Sequence, residues 1–241
     1  MKHQLSLTAL SAAAALFVAT PAFAEEETDA PTGDFDISAT ITGVSDYRFR
    51  GISLSDRDPA IQGSIDISHK SGVYAGVWAS TIEEYAGADV EIDASLGWAG
   101  TVGPVDLDLG GLAYLYPNGS GVNYVELYGS VAHTIGPATL KAGVAYAPSQ
   151  DNLGNTDNFY VSGEASIGIP NTPFTLKAGV GHEDGAFAGP TGKKWDWSLG
   201  VDFVKGPFTL GVQYVDTDIS VVQDPSRNSR GGLLGSISFT F

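Results

Sequence analysis

The residues of this chain most able to do chemistry are carboxylates an even number of positions apart. Glu91 and Asp93, Asp106 and Asp108, and Asp196 with Asp202 each occupy one parity of a segment whose other parity is mostly apolar. Asp36, Asp46, Asp66, Glu126 and Glu164 extend the set, against four bases on the same parity, Arg48, Arg50, Lys141 and Lys177. Residues two apart lie on one face of a β-strand, so these charges would share a side. Like charges in a row can line an aqueous passage and select ions. They can also pair with one another and fill a narrow interior. Catalysis is the weaker reading, because strand alternation by itself puts Asp106 and Asp108 on one face.

Other constellations add little chemistry. A serine hydrolase needs a nucleophile beside a histidine oriented by a third group. His69 and His133 lie near tight turns and His182 near a strand end, none beside an obvious nucleophile. The chain has no cysteine, which removes disulfides and cysteine-ligated zinc. No metal site and no cofactor site emerges, and no Gly-rich phosphate loop joins a strand to a helix. Acidic loop residues such as Glu83, Glu84, Asp216 and Asp218 read as solvated charge rather than cation ligands. A net charge of −16 argues against nucleic acid as a partner.

The elements that must position these charges are hairpins. Thr134-Ile135-Gly136-Pro137 precedes Leu140, Ala142, Val144 and Tyr146, which alternate with Thr139, Lys141, Gly143 and Ala145. The unit recurs at Thr101–Pro104 and Val204–Pro207, with a degenerate copy at Ile169–Thr172. If each turn has four residues, Gly97 faces Asp108, Ala132 faces Thr139, Glu164 faces Lys177 and Asp202 faces Thr209. Polar then meets polar in all four hairpins. A one-residue slip would reverse every facing.

Twelve strands follow from this pattern. The first alternates from Phe35 and continues through Tyr47 and Phe49, with Asp46, Arg48 and Arg50 on the opposite parity. Residues 51–58, 82–88, 117–122, 148–157, 184–192 and 216–230 read as loops. The facing of 73–81 is open, since Tyr74 and Trp78 share one parity and Val73, Ala75 and Val77 the other. An even strand count puts both termini and all tight turns on one side.

The ends of the chain carry their own signals. Lys2, an apolar run from Leu5 to Val18 and Pro21-Ala22-Phe23-Ala24 form a secretory signal peptide over 1–24. Residues 25–33 read as a short disordered acidic lead, and 34–241 as the folded domain. The terminal Phe241, with alternating apolar residues before it, is expected to engage the barrel-assembly machinery.

Alternation alone also fits a soluble sandwich. Strands of about ten residues suit a tilted membrane crossing. Tight turns alternating with longer loops are the asymmetry of outer-membrane barrels. Tyr47, Phe49, Trp98, Tyr146, Phe159, Phe174, Trp195, Phe203, Phe208 and Tyr214 gather near strand ends, as interfacial girdles do. The expected fold is therefore all-β, an up-and-down antiparallel transmembrane β-barrel of about 12 strands, with the polar parity facing inward.

Three stretches carry a family likeness. Ser45-Asp46-Tyr47-Arg48-Phe49-Arg50-Gly51-Ile52-Ser53, Asp58-Pro59-Ala60-Ile61-Gln62-Gly63 and Gly72-Val73-Tyr74-Ala75-Gly76-Val77-Trp78-Ala79-Ser80 resemble the TorF family of porin-like proteins, earlier catalogued as conserved hypothetical proteins. The likeness is strong over about 34–99 and diffuse afterwards. It implies a Gram-negative outer membrane and suggests a channel, and it supplies neither a substrate nor functional residues. The expected function is a porin-like channel for ions or small solutes, weakly cation-selective, with outer-membrane lipid around it. The alternatives are a closed structural or adhesive barrel and, behind it, a barrel enzyme.

Overall fold

The computed structural model describes residues 33–241. The signal peptide and nearly all of the acidic lead lie outside the described residues. Among those described, fourteen strands form, of which twelve close a barrel. They are β1 (Phe35–Val44), β4 (Ala60–His69), β5 (Val73–Tyr85), β6 (Ala88–Val102), β7 (Val105–Leu115), β8 (Tyr124–Ile135), β9 (Ala138–Gln150), β10 (Thr156–Gly168), β11 (Phe174–Gly185), β12 (Lys193–Lys205), β13 (Phe208–Thr217) and β14 (Gly232–Thr240). Each pairs antiparallel with its neighbours in the chain, and β1 pairs with β14 to close the sheet. Closure removes the unpaired edges that an open sheet would expose. The two remaining strands, β2 (Arg48–Phe49) and β3 (Ile52–Ser53), form a separate small hairpin.

Alternation decides what faces where. Ile37, Ile41, Ile61, Ile65, Leu96, Leu127, Leu140, Leu199 and Leu233 lie exposed on the outside. An apolar belt of this extent is the lipid-facing surface of a transmembrane barrel. Trp98, Tyr146, Phe159, Phe174, Trp195, Phe208 and Tyr214 are outward as expected, with neighbours in contact across strands: Tyr146–Phe159 at 6.5 Å and Phe174–Phe203 at 5.5 Å. The open facing of β5 is resolved: Tyr74, Trp78 and Ser80 are buried inside, while Val73 and Val77 are exposed outside.

The hairpin register corrects the sequence expectation by two residues in every case. Thr101 pairs with Asp106, Ala132 with Lys141, Ser166 with Lys177 and Asp202 with Gly211. Hence Asp108 faces Ala99 rather than Gly97, and Glu164 faces Gly179 rather than Lys177. In three of the four hairpins the physical reason is a two-residue turn; in the fourth the ladder runs on to Ile169 and Phe174, so that the connection is 170–173 rather than 169–172. Gly103, Gly136 and Gly206 take φ of 61°, 59° and 56°. A glycine of positive φ followed by proline closes a two-residue hairpin of the II′ kind, which continues the ladder one pair beyond a four-residue turn. A shift of two keeps parity, so polar still meets polar.

The long-loop side also departs from expectation. β5 and β6 run on through 82–88 and close at Ala86–Gly87, both of positive φ, 54° and 93°. The larger correction concerns residues 45–59. β1 ends at Val44, and the segment that continues its alternation turns into the barrel interior.

Candidate functional site

The candidate site is the lumen, and the inserted segment 45–59 organises its upper half, on the side of the longer loops. Arg50 and Gly51 take φ of 47° and 88°, so that Phe49 pairs with Ile52 and the chain reverses inside the barrel. Tyr47 is fully buried and Phe49 is buried as well; neither belongs to the interfacial girdle in which alternation had put them. Polar anchors hold the segment. Arg48 donates to Asp46 at 2.8 Å, to the Gly51 carbonyl at 3.0 Å and to the Arg230 carbonyl at 2.8 Å. Ser53 donates to the other Asp46 oxygen at 2.6 Å, and its own N–H donates to the Asn228 carbonyl at 2.9 Å.

Arg50 is the central tie. Its guanidinium donates twice to Glu126 on β8, at 2.6 and 2.8 Å, and once to Glu183 on β11, at 2.8 Å. It lies between the rings of Phe49 and Tyr160, at 4.5 and 4.4 Å. A planar cation with forked donors suits two carboxylates carried by strands three apart around the barrel. Glu183 also contacts the Lys194 ammonium and accepts from Asn158 at 2.9 Å. Lys194 in turn approaches Asp196 at 3.6 Å, and Tyr160 donates to Asp196 at 3.0 Å. On the other wall, Tyr47 and Tyr116 donate to Glu91 at 2.7 and 2.8 Å. Phe49, Leu112, Tyr114, Tyr116 and Tyr124 pack into one buried cluster with Phe187 against it.

The connection over 218–231 supports this arrangement from outside the spanning strands. Asp224 accepts from the Ser229 N–H at 2.7 Å and from the Ser226 N–H at 3.1 Å. Partial burial pushes its carboxyl pKa up, but the hydrogen bonds from Ser226 and Ser229 outweigh that and hold it below the ordinary carboxylate range.

The lower half of the lumen, towards the tight turns, is polar. Tyr74 donates to Asp108 at 2.7 Å and meets the Tyr128 hydroxyl. Lys177 pairs with Asp202 at 2.6 Å. Glu164 and Lys141 are ladder neighbours between β10 and β9. Asp106 is exposed at the rim and accepts from Thr101 at 2.7 Å. Asp66 and Asp93 line a pocket beside Trp78. Asp93 is 2% exposed, and neither of its carboxylate oxygens has a hydrogen-bond partner.

Thus, of the residues read as inward, all but Asp36 and Asp106 are buried or half-buried within the barrel, and the candidate pore-lining residues divide into two groups. Asp46, Arg48, Arg50, Glu91, Glu126 and Asp196 belong to the network around the insert. Asp66, Asp93, Asp106, Asp108, Lys141, Glu164, Lys177 and Asp202 lie below it or at its lower boundary. Glu183 and Lys194 were missed, although Glu183 continues the inward parity of Lys177 three steps on and Lys194 that of Asp196 by one step. Two histidines are used structurally: His69 contacts Ser71 at 2.8 Å in an exposed turn, and His182 meets Trp195 edge-on at 4.7 Å. Among the described residues, no three His, Cys, Asp or Glu side chains come together as a metal site.

Fold and lumen together define a closed transmembrane β-barrel of the outer-membrane kind. The KdgM porin has the same overall fold, with a TM-score of 0.56 at 8% identity over 85% of this chain and 98% of its own. A membrane protein solved in a study of in-meso crystallisation matches with a TM-score of 0.56 at 11% identity, over 85% of this chain and 83% of that one. An outer membrane channel from Pseudomonas putida F1 matches with a TM-score of 0.49 at 10% identity, over 90% of this chain and 98% of that one. No curated protein matches. Residues 28–232 match the Gcw_chp family, described as bacterial proteins of unknown function, and the chain belongs to that family.

Proposed function

We propose that the protein is an outer-membrane channel for small solutes or ions, weakly cation-selective, whose aperture is narrowed by the inserted segment 45–59. The observation that carries this reading is the charge of the interior. With Glu183 and Lys194 added, and with Asp36 and Asp106 left out as exposed, ten carboxylates face five bases inside a wall that is apolar outside. Low-dielectric walls focus such a field, enriching cations and depleting anions. Twelve strands enclose a bore between the filled eight-stranded barrel and the open sixteen-stranded porin. The shared fold with the KdgM porin and the TorF-like stretches at 45–63 and 72–80 support a channel.

This reading sets the protein in a Gram-negative outer membrane, delivered by a signal peptide cleaved after Ala24. Its partners there are lipid, the permeating solute and the assembly machinery acting on the strand that ends at Phe241. It is not read as an enzyme. One observation favours a second reading, a closed barrel that binds through its loops: the insert and the aromatic cluster occupy the upper lumen. Swelling of proteoliposomes separates the two. Folded protein should admit glycerol-sized solutes and exclude trisaccharides. Absence of swelling with every solute would leave the closed barrel in front.

A further inference from the structure

We propose that the lumenal pocket between β4, β5, β6 and β7 is a binding site for a primary ammonium group. The assignment deepens the channel reading, since it needs solute to reach the lumen, and it names the class of solute that would dwell there.

The pocket is built on two adjacent rows of the sheet. Asp66, Gly76, Ser95 and Leu112 are ladder partners in one row, and Trp78, Asp93 and Tyr114 in the next on the same face. Gly76 is required for the first row to form. A Cβ there would run into the Asp66 carboxylate and lie 2.9 Å from the Ser95 hydroxyl, so a side chain would fill the space. The Trp78 ring is held from above by Tyr47 at 5.3 Å, which sets the pocket directly beneath the inserted segment. Its total empty space is about 230 Å³, part of it open to solvent, but the enclosed portion admits little more than a water-sized group.

Asp93 gives the pocket its chemistry. A buried carboxylate costs free energy unless it is paired or hydrogen-bonded. The neighbouring acids have partners: Glu91 has two tyrosine hydroxyls, and Glu126 has Arg50. Asp93 has none, and Asp66 lines the same pocket. A cation in that space would satisfy both. The barrel contains a worked instance of such a site. The Lys194 ammonium meets two carboxylates, Glu183 and Asp196, and lies 5.8 Å from the Tyr160 ring. Asp93, Asp66 and Trp78 offer the same combination of two carboxylates and an aromatic ring.

Size and donor set choose among cations. An ammonium is close to water in size, whereas a guanidinium exceeds the enclosed portion. Two carboxylates and one hydroxyl fall short of the ligand number that calcium takes. A primary ammonium carries three donors, enough for Asp93, Asp66 and Ser95, and leaves its substituent to extend toward the open side.

The test is calorimetric titration of the refolded full-length protein in detergent with methylammonium chloride at low ionic strength. Saturable binding at one site is expected. Asp93→Asn should weaken it about ten-fold or more, as loss of a charge-assisted hydrogen bond does. Asp66→Asn should weaken it by less, Gly76→Ala should abolish it, and Asp184→Asn in the exposed pair with Lys193 should leave it unchanged. Tetramethylammonium, which has no N–H donor, should not compete. Each variant is first checked for heat-modifiable mobility, so that loss of fold is not read as loss of binding. No saturable binding by folded wild type, equal binding by Asp93→Asn, or equal competition by sodium would overturn the assignment. Conductance on the same preparation separates the two readings. Binding without conductance removes the channel, and conductance without binding removes only this site.

Discussion

Replacing Arg50 with Met removes the cation that ties the inserted segment to β8 and β11 of the barrel wall. The side chain is 6% exposed and makes three charge-assisted hydrogen bonds to Glu126 and Glu183. The two acids are affected unequally. Glu183 keeps Lys194 and Asn158, whereas Glu126 is left with only a long hydroxyl contact from Tyr114 at 3.4 Å. Breaking a buried pair by removing one partner costs about 3–5 kcal/mol, because the other charge stays buried. Loss of the two ring contacts works in the same direction. The expected destabilisation is therefore about 3 kcal/mol or more, and Arg50→Met with Glu126→Gln should recover a large part of it. Reversible urea unfolding in lipid vesicles gives the stability, and single-channel recording on the same samples gives the aperture. The loosened segment should raise conductance severalfold in Arg50→Met. Wild-type stability and conductance in Arg50→Met, or a double variant no more stable than the single one, would refute the idea that this contact holds a plug.

Two further outcomes follow from the geometry. Cysteines at Ser166 and Lys177 should crosslink with a short reagent, while cysteines at Glu164 and Lys177 should not; the reverse would restore the turn at 169–172. Because the Asp224 carboxyl is held below its unfolded value, its contribution to ordering 218–231 is present at neutral pH and is lost as pH falls through the depressed folded value. Protection of the Ser229 amide from hydrogen exchange should therefore persist through the normal carboxylate range and fail only below it. Loss of protection at or above the ordinary carboxylate range would contradict this.

The wall of the barrel was legible because period two is a strong signal and is repeated in every strand. The strand count, the side of the tight turns and the outward aromatics all follow from it. The turn length was not legible from facing, because registers two residues apart put the same faces together. Only the backbone requirement of Gly103, Gly136 and Gly206 distinguishes them. The inserted segment was hidden for a related reason. Asp46, Arg48 and Arg50 alternate with Tyr47 and Phe49 as a strand's two faces would, although all five are buried inside. The clue lay in composition: an aspartate, two arginines and a Gly51 with Ser53, Ser55 and Pro59 soon after are unusual for an uninterrupted lipid-facing strand. Glu183 and Lys194 needed only the parity of their strands to be carried toward the loops, three steps from Lys177 and one from Asp196.

The reversal potential of wild-type protein in a planar bilayer under a potassium chloride gradient tests the central claim most directly. A lumen with more carboxylates than bases should give the sign of a cation-selective pore near 0.1 M salt. The potential should shrink toward 1 M, as the Debye length falls from about 10 Å to about 3 Å. Asp106→Asn with Asp108→Asn should reduce it further. An anion-selective sign, or no conductance from protein shown to be folded by its heat-modifiable mobility, would contradict the account.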